Sequence, residues 1–558
     1  MSKLNISSVF NNQLICVVII VIATIAAFSN SLGNEFIVDD SLFIVDWPLI
    51  QDLNNFPEFF GPHNQPVGEE GVYSPLKTCL HAFNYNMWGL NVFGHHVVGL
   101  LIHLIGTIFV FKIALRLTAN VPAAFLCGLF FGIHPVHVEA ITPPTGSVDT
   151  SGVVWFFASF YFYTKVGSIK GKWDKNYFLA VLFALLAIFT HELVITLPLF
   201  LLFYELCFNG SCSKKRSMFF KTLPFFIVSF IYAVLKFSIA GSLARGIYLF
   251  GSFYLTMLVV IKALAKYVVI LFYPIVLTSN HEISPGIFSV NWHYFDKTEV
   301  LMQSILDPQV MLSLFFTAAI IIVGIKFYKI NKVVSFCVGW FYISLLPVMN
   351  FIPTECYFAE RYLYPGSLAF CLLLSLMILA PFNHKNIFSK NIFKFLSILA
   401  LIFYIGFFFK QTLMRNEQIK NDFSLYKAEA RVNPRHPIMH RKLGFLYLRN
   451  GEAWKAIEEL EIVVKLRPND PDAHFVLAES YMEVNNFKKA MLNFEKATEI
   501  DPNFAESYYN LAGIYAFLGK EKEARMYLGR ALTLYRANKR DNEAEKLMEA
   551  FYVFWGYK

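Results

Sequence analysis

The chain has 558 residues, of which 56% are hydrophobic and only 16% charged, against about 25% charged in an ordinary soluble domain. Together with 60 phenylalanines, this excludes a wholly soluble protein, a disordered chain and a disulfide-stapled secreted module, and it leaves an integral membrane protein. The formal net charge is +8, but in a membrane protein the placement of Lys and Arg carries more information than their sum.

In chain order, an apolar run at 14–32 behind a weakly basic start (Lys3) reads as an uncleaved first helix, because many further spans follow. Residues 33–91 are mixed and polar, with Pro48, Pro57, Pro62, Pro66 and Pro75, and read as a large structured first loop. Span-length apolar runs follow at 92–115, 121–141, 151–165, 176–190, 192–208, 221–240, 252–277, 309–327, 333–349, 362–380 and 392–410. The shortest of them need tilting or aromatic flanks to cross about 20 residues' worth of bilayer. Eight cysteines (Cys16, Cys79, Cys127, Cys207, Cys212, Cys337, Cys356 and Cys371) form no CxxC pair, and most fall in apolar runs as small buried hydrophobes.

Orientation comes from Lys and Arg in short loops: Lys165, Lys170, Lys172 and Lys175; Lys214, Lys215, Arg216 and Lys221; Lys326, Lys329 and Lys332; Lys385, Lys390 and Lys394 beside His384. All four clusters belong on the cytoplasmic side. They share one side only if 252–277 is left out of the crossings. That run also carries Lys262 and Lys266, so it reads as an interfacial or re-entrant helix with its lysines at headgroup level. About eleven transmembrane helices result, an all-α membrane protein. The 33–91 loop, the 133–150 turn, the His191-Glu192 turn, 241–308, 350–361 and the C-terminal part then face outside.

From 411 the chain turns polar and repetitive. Pro434, Pro468 and Pro502 lie 34 apart, as do Leu443, Leu477 and Leu511; Tyr447, Tyr481 and Tyr515; and Ala456, Ala490 and Ala524. That period and residue set are the tetratricopeptide signature, and three repeats are the minimum for a stable stack. The expected domains are a membrane domain at 1–410, a linker helix at 411–436, three repeats at 437–536, and a capping helix with an aromatic tail at 537–558.

Four polar groups map to the outer face. Asp39 and Asp40 follow the first span, where a carboxylate can serve as general base or metal ligand; the bland alternative is a cap on the loop helix that follows. His134 and His137, with Glu139 behind them and Asp149 downstream, could share a face toward a metal or simply satisfy a reversed helix end. His191 and Glu192 sit in a forced hairpin between two apolar runs, a functional candidate by default or a hairpin cap. Glu360 and Arg361 stand at an outer entry to a span, where Arg matches a phosphate bidentately and Glu can orient it, or where Arg snorkels beside an aromatic belt. Random capping does not place four such groups on one face.

Asn34-Glu35-Phe36-Ile37-Val38-Asp39-Asp40 resembles the opening of the transmembrane-and-tetratricopeptide O-mannosyltransferase family and its bacterial relatives. So do Trp88-Gly89-Leu90 through Gly94-His95-His96, and Leu100-Leu101-Ile102-His103-Leu104. His134-Pro135-Val136-His137-Val138-Glu139-Ala140 is similar to that family's HPxHxEA segment, His191-Glu192 stands at its Lys-Glu turn, and Glu360-Arg361-Tyr362-Leu363-Tyr364-Pro365 is similar to its ERYLY segment. The order holds across roughly residues 30–410, and the repeats follow.

The resemblance implies the C-type glycosyltransferase multi-span fold with a C-terminal tetratricopeptide α-solenoid. It also implies a polyprenyl-phosphate-linked sugar as donor and a protein or glycan as acceptor. On that basis Asp40, or Asp39, is the base; Arg361 is the phosphate clamp, oriented by Glu360; and His191 and Glu192 line the donor pocket. Three cationic positions depart from the family. Tyr73-Ser74-Pro75 stands where it has Tyr-Arg-Pro, with Lys77 as a substitute point charge. Gly146-Ser147-Val148-Asp149 stands for Gly-Arg-Ala-Asp, and His191 replaces the Lys. His134, His137 and Glu139 are left as metal or polar support, with a divalent cation an open requirement.

The expected place is the cytoplasmic membrane of a bacterium or archaeon, with site and repeats extracytoplasmic and lipid, not nucleic acid, as the surrounding partner. The alternatives are an O-antigen-ligase-like oligosaccharide transferase, whose main outer loop would come late in the chain, and a non-catalytic scaffold that displays the repeats.

Overall fold

The computed structural model describes residues 12–62, 66, 72–166, 174–209, 215–284, 287–289, 303–383, 391–538 and 540–555. Lys170, Lys172, Lys214, His384, Lys385, Lys390 and Cys212, used above, lie outside them. Two compact units divide the chain, Met1–Ser424 and Leu425–Lys558. Among the described residues, strand is confined to a hairpin in which Glu282–Ser284 runs antiparallel to Ile287–Phe288. The rest is helix, turn and loop, as a chain that must satisfy its backbone within a bilayer requires.

Among the described residues of the first unit, eight helical segments are long and apolar enough to cross a membrane. A ninth is added if Val121–Gly132 and Pro135–Ile141, bent by 48°, count as one. The bend lies where Pro135 removes an N–H and pushes the residue before it out of helical geometry. Three of the eleven expected spans fall outside that set. Helices Lys175–Thr190 and Lys332–Leu345 are short, and Pro144–Thr164 opens with Thr145, Ser147, Asp149, Thr150 and Ser151, which dilute its apolar length. The protein is nonetheless a multi-pass membrane protein.

The run at 252–277 forms a continuous helix, Phe253–Phe272, that is long and apolar enough to pass the same test, yet Arg245 before it pairs with Glu355, beyond two further apolar helices, as an interfacial or re-entrant helix allows. One part of the expectation is corrected. The lysines of this helix do not stand at an open headgroup surface. The Lys262 ammonium is buried against Asp307 at 3.0 Å and also reaches Ser284, while Lys266 donates to the Glu282 carbonyl at 2.7 Å.

Small residues and aromatics decide how these helices pack. A Cβ on Gly132 would collide with the Thr24 hydroxyl, and one on Gly106 would come within 2.8 Å of the Tyr364 hydroxyl. Such close approach is how helices associate where lipid offers no hydrophobic driving force. Trp340 is fully buried among Phe156, Phe160, Phe200 and Phe336, and its indole N–H donates to the Pro365 carbonyl.

The second unit holds three helix pairs: Pro437–Arg449 with Ala453–Leu466, Pro471–Glu483 with Phe487–Ile500, and Ala505–Phe517 with Glu521–Ala537. A further helix, Asp541–Trp555, follows. Ala456, Ala490 and Ala524 are fully buried between paired helices, the close approach that period-34 alanines provide. In each pair a residue meets another 19 positions on: His440 with Glu459, His474 with Asn493, and Tyr508 stacked on Tyr527. Phe551 packs on Tyr509 and beside Ala512 and Ala516.

Candidate active site

The first loop leaves helix Gln13–Phe28 through a 3-10 turn, Ser29–Gly33, and then runs along the end of helix Asn391–Gln418. Asn34 donates to the Asn416 carbonyl (3.0 Å) and Glu35 N–H to the Lys420 carbonyl (2.8 Å). Val38 then takes a φ of +43°, a left-handed conformation that is a genuine outlier for a β-branched residue. Its N–H donates to Asp422 Oδ1 at 3.1 Å.

This turn separates the two aspartates. Asp40 is wholly buried. It does not cap its own loop helix; its carboxylate accepts from Ile37 N–H (3.1 Å) and from Thr145 N–H (2.9 Å). Thr145 lies in the first turn of helix Pro144–Thr164, where orphan amide donors and the helix dipole favour an anion. Asp39, one residue earlier, is exposed.

Burial pushes the Asp40 carboxyl up to about 6, against the two N–H groups that pull it down. The folded state therefore holds this proton more tightly than the unfolded chain. The associated stability is complete below about pH 4 and is lost as pH rises through about 6. Measured as the unfolding free energy of wild type minus that of Asp40→Asn, the difference should move against wild type by about 3 kcal/mol between pH 4 and 7. It should change no further at higher pH.

The two histidines after the bend are held inside the fold by hydrogen bonds. His134 Nδ1 accepts from Val136 N–H, so its Nε2–H donates to the Leu271 carbonyl at 3.1 Å. His137 bonds Ser367 Oγ at 2.8 Å and packs on Phe131 and Tyr364. Both are fully buried. They fix the short helix Val138–Ile141, which turns Glu139 outward to Arg361. Glu139 accepts from the Arg361 guanidinium at 2.7 Å and from its backbone N–H at 3.2 Å. Among the described residues, no three His, Cys, Asp or Glu side chains are grouped to hold a metal ion.

Glu360 does not orient Arg361, contrary to expectation. The two lie in a 3-10 turn, Glu360–Tyr362, where neighbouring side chains diverge by about 120°. Glu360 points inward, accepting from Thr278 N–H (2.7 Å) and meeting His281 (2.8 Å). Arg361 remains 41% exposed and lies within electrostatic reach of Asp39.

The remaining candidates complete one continuous patch. Lys77 forms an ion pair with Asp149 at 2.9 Å, and its ammonium sits 4.3 Å from the Phe43 ring centre. His191 has Asp149, Glu192, Lys77 and Arg245 as charged neighbours. Glu192 binds Lys236 and, at 3.4 Å, Arg245, whose other nitrogen reaches Glu355 at 3.3 Å. The sequence candidates are thus brought together, except that Asp40, Glu360, His134 and His137 lie behind the surface. Sequence reasoning missed Lys236 and Arg245. The signal for Arg245 was available: an arginine in a Gly- and Ser-containing stretch, 241–246, just after a span.

Comparison with known proteins follows the same division of the chain. Residues 478–519 match a TPR repeat model and 505–538 a tetratricopeptide repeat model. A protein O-mannosyl-transferase of Caenorhabditis elegans is 25% identical over 457 residues, 78% of this chain and 60% of that protein. Protein O-mannosyl-transferase TMTC3 of Mus musculus is 23% identical over 480 residues, 77% and 48% of the two chains. Protein O-mannosyl-transferase Tmtc3 of Drosophila melanogaster is 22% identical over 518 residues, 80% and 54%. The chain spans about half the length of these relatives. Among solved structures, the crystal structure of MamA protein covers 24% of this chain and 79% of its own at 20% identity and a TM-score of 0.20, too low to bear on the fold.

Proposed function

We propose that this chain is an integral-membrane glycosyltransferase that moves a sugar from a polyprenyl-phosphate donor to a hydroxyl of a protein acceptor on the extracytoplasmic face. One observation carries the reading: an exposed carboxylate, Asp39, stands within electrostatic reach of a half-exposed arginine, Arg361, that a buried glutamate holds in place. Sugar transfer from a phosphate needs these two groups, a base for the incoming hydroxyl and positive charge at the departing phosphate.

Asp39 takes the acceptor proton as the acceptor oxygen bonds to the anomeric carbon. The bond from that carbon to the phosphate oxygen breaks, and the lipid phosphate leaves with its charge on Arg361. A single displacement of this kind inverts the anomeric centre. Asp40, buried behind the turn, positions Asp39. Lys77, Lys236 and Arg245 supply the charge that the departures at Ser74, Ser147 and His191 remove, with His191 and Glu192 along the donor path. The likeness to protein O-mannosyl-transferases supports a protein acceptor, and the repeats are suited to select it.

The test is a transfer assay with the full chain in lipid nanodiscs, offered a panel of radiolabelled polyprenyl-phosphate sugars and a membrane-protein extract. Label should pass from lipid to protein with one of the donors. Folded protein that transfers from none of them would return the chain to the scaffold reading.

A further inference from the structure

We infer that Asp422 is a positioning residue for the base, and that it acts by holding the strained turn that presents Asp39. This rests on the reading of Asp39 proposed above, but the geometry stands apart from it. A β-branched residue with positive φ persists only where its surroundings over-determine it, and the turn at Val38 is tied on both sides. On one side lie the two N–H groups that Asp40 accepts. On the other, Glu35 N–H is fixed to the Lys420 carbonyl and Val38 N–H to the Asp422 carboxylate, across 384 positions of sequence.

Asp422 forms none of the ion pairs found among the described residues; what it does in the first unit is accept from the strained residue itself. Without that acceptor the Val38 amide is free to rotate toward an ordinary φ, and Asp39, next in the chain, rotates with it. Asp422 opens helix Asp422–Val432, so the stretch 416–422 that anchors the first loop is also the stretch from which the chain continues toward the repeats.

The experiment uses the full chain in nanodiscs with the donor that wild type accepts. Asp422→Ala should lower kcat about tenfold, the equivalent of one lost hydrogen bond to a charged group, and leave donor KM within about twofold, since Arg361 is untouched. Asp422→Asn, which keeps an acceptor oxygen, should remain close to wild type. Adding Val38→Gly to Asp422→Ala should restore most of kcat, because glycine adopts positive φ without a tether. A merely structural role for Asp422 would not produce that rescue.

Hydrogen exchange provides the second readout. The amides of residues 37–40 should exchange faster in Asp422→Ala and return toward wild type in the double variant. Unchanged exchange and unchanged kcat in Asp422→Ala would overturn the inference. If wild type transfers nothing, the functional reading fails, while exchange at 37–40 still decides whether Asp422 holds the turn.

Discussion

Asp39→Asn is expected to lower kcat by about 10²- to 10⁴-fold, the usual contribution of a positioned general base, with little change in stability. The side chain is exposed and makes no hydrogen bond that the fold depends on, so its amide should be tolerated. Asp40→Asn makes the contrast. An amide at 40 would turn an N–H₂ toward either Ile37 N–H or Thr145 N–H, donor against donor, and should disturb the turn as well as the rate. The two variants are separated by a melting curve and a single-turnover transfer measurement on the same preparation. An Asp39→Asn protein that transfers within threefold of wild type would remove Asp39 from the mechanism.

Arg361→Ala should cost about 10²- to 10³-fold in transfer, comparable to deleting one preorganised donor at a site of developing negative charge. It should also destabilise the protein. Glu139 is nearly buried, and the Arg361 guanidinium and backbone amide are its partners, so truncation leaves a carboxylate without its counter-charge. Arg361→Ala combined with Glu139→Gln should recover much of the lost melting temperature and none of the lost rate. Arg361→Lys should keep the charge while losing the two-pronged geometry, and should fall between wild type and alanine. Recovery of rate in the double variant would mean that Arg361 serves the fold alone.

Much of the architecture was legible because it is periodic. A 34-residue recurrence of Leu, Tyr, Ala and Pro can be seen without neighbours, and so can an apolar run of span length. The segments of the site were legible as a set, since Asp39–Asp40, Glu139, His191–Glu192 and Glu360–Arg361 each interrupt apolar sequence on one face.

What was not legible is pairing over distance and direction at close range. Nothing local says that Arg361 is held by Glu139, 222 positions away, and not by its neighbour Glu360. Nothing says that Arg245 reaches Glu192 across 53 positions. Which of two adjacent aspartates faces outward depends on one backbone angle, the +43° at Val38, and no side-chain pattern encodes it. The lysines of helix Phe253–Phe272 are placed at headgroup level by sequence for the same reason: Asp307, the partner of Lys262, lies 45 positions on.

That helix has a consequence for how the protein is made. A lysine at the centre of a helix entering a bilayer costs up to roughly 2.5 to 3.5 kcal/mol; Lys262 lies at the middle of Phe253–Phe272 and Lys266 one turn on. Their partners emerge from the ribosome later, the Glu282 carbonyl 16 residues after Lys266 and the Asp307 carboxylate 45 residues after Lys262. The translocon therefore meets Phe253–Phe272 before the groups that bind its lysines exist. The helix should be retained at the insertion machinery, or beside the helices already released, until the chain through about residue 307 has been synthesised. Biogenesis of this protein is thus expected to proceed in cooperative blocks, and its ribosome-bound intermediates that end before Asp307 should be the ones most readily recognised by quality control.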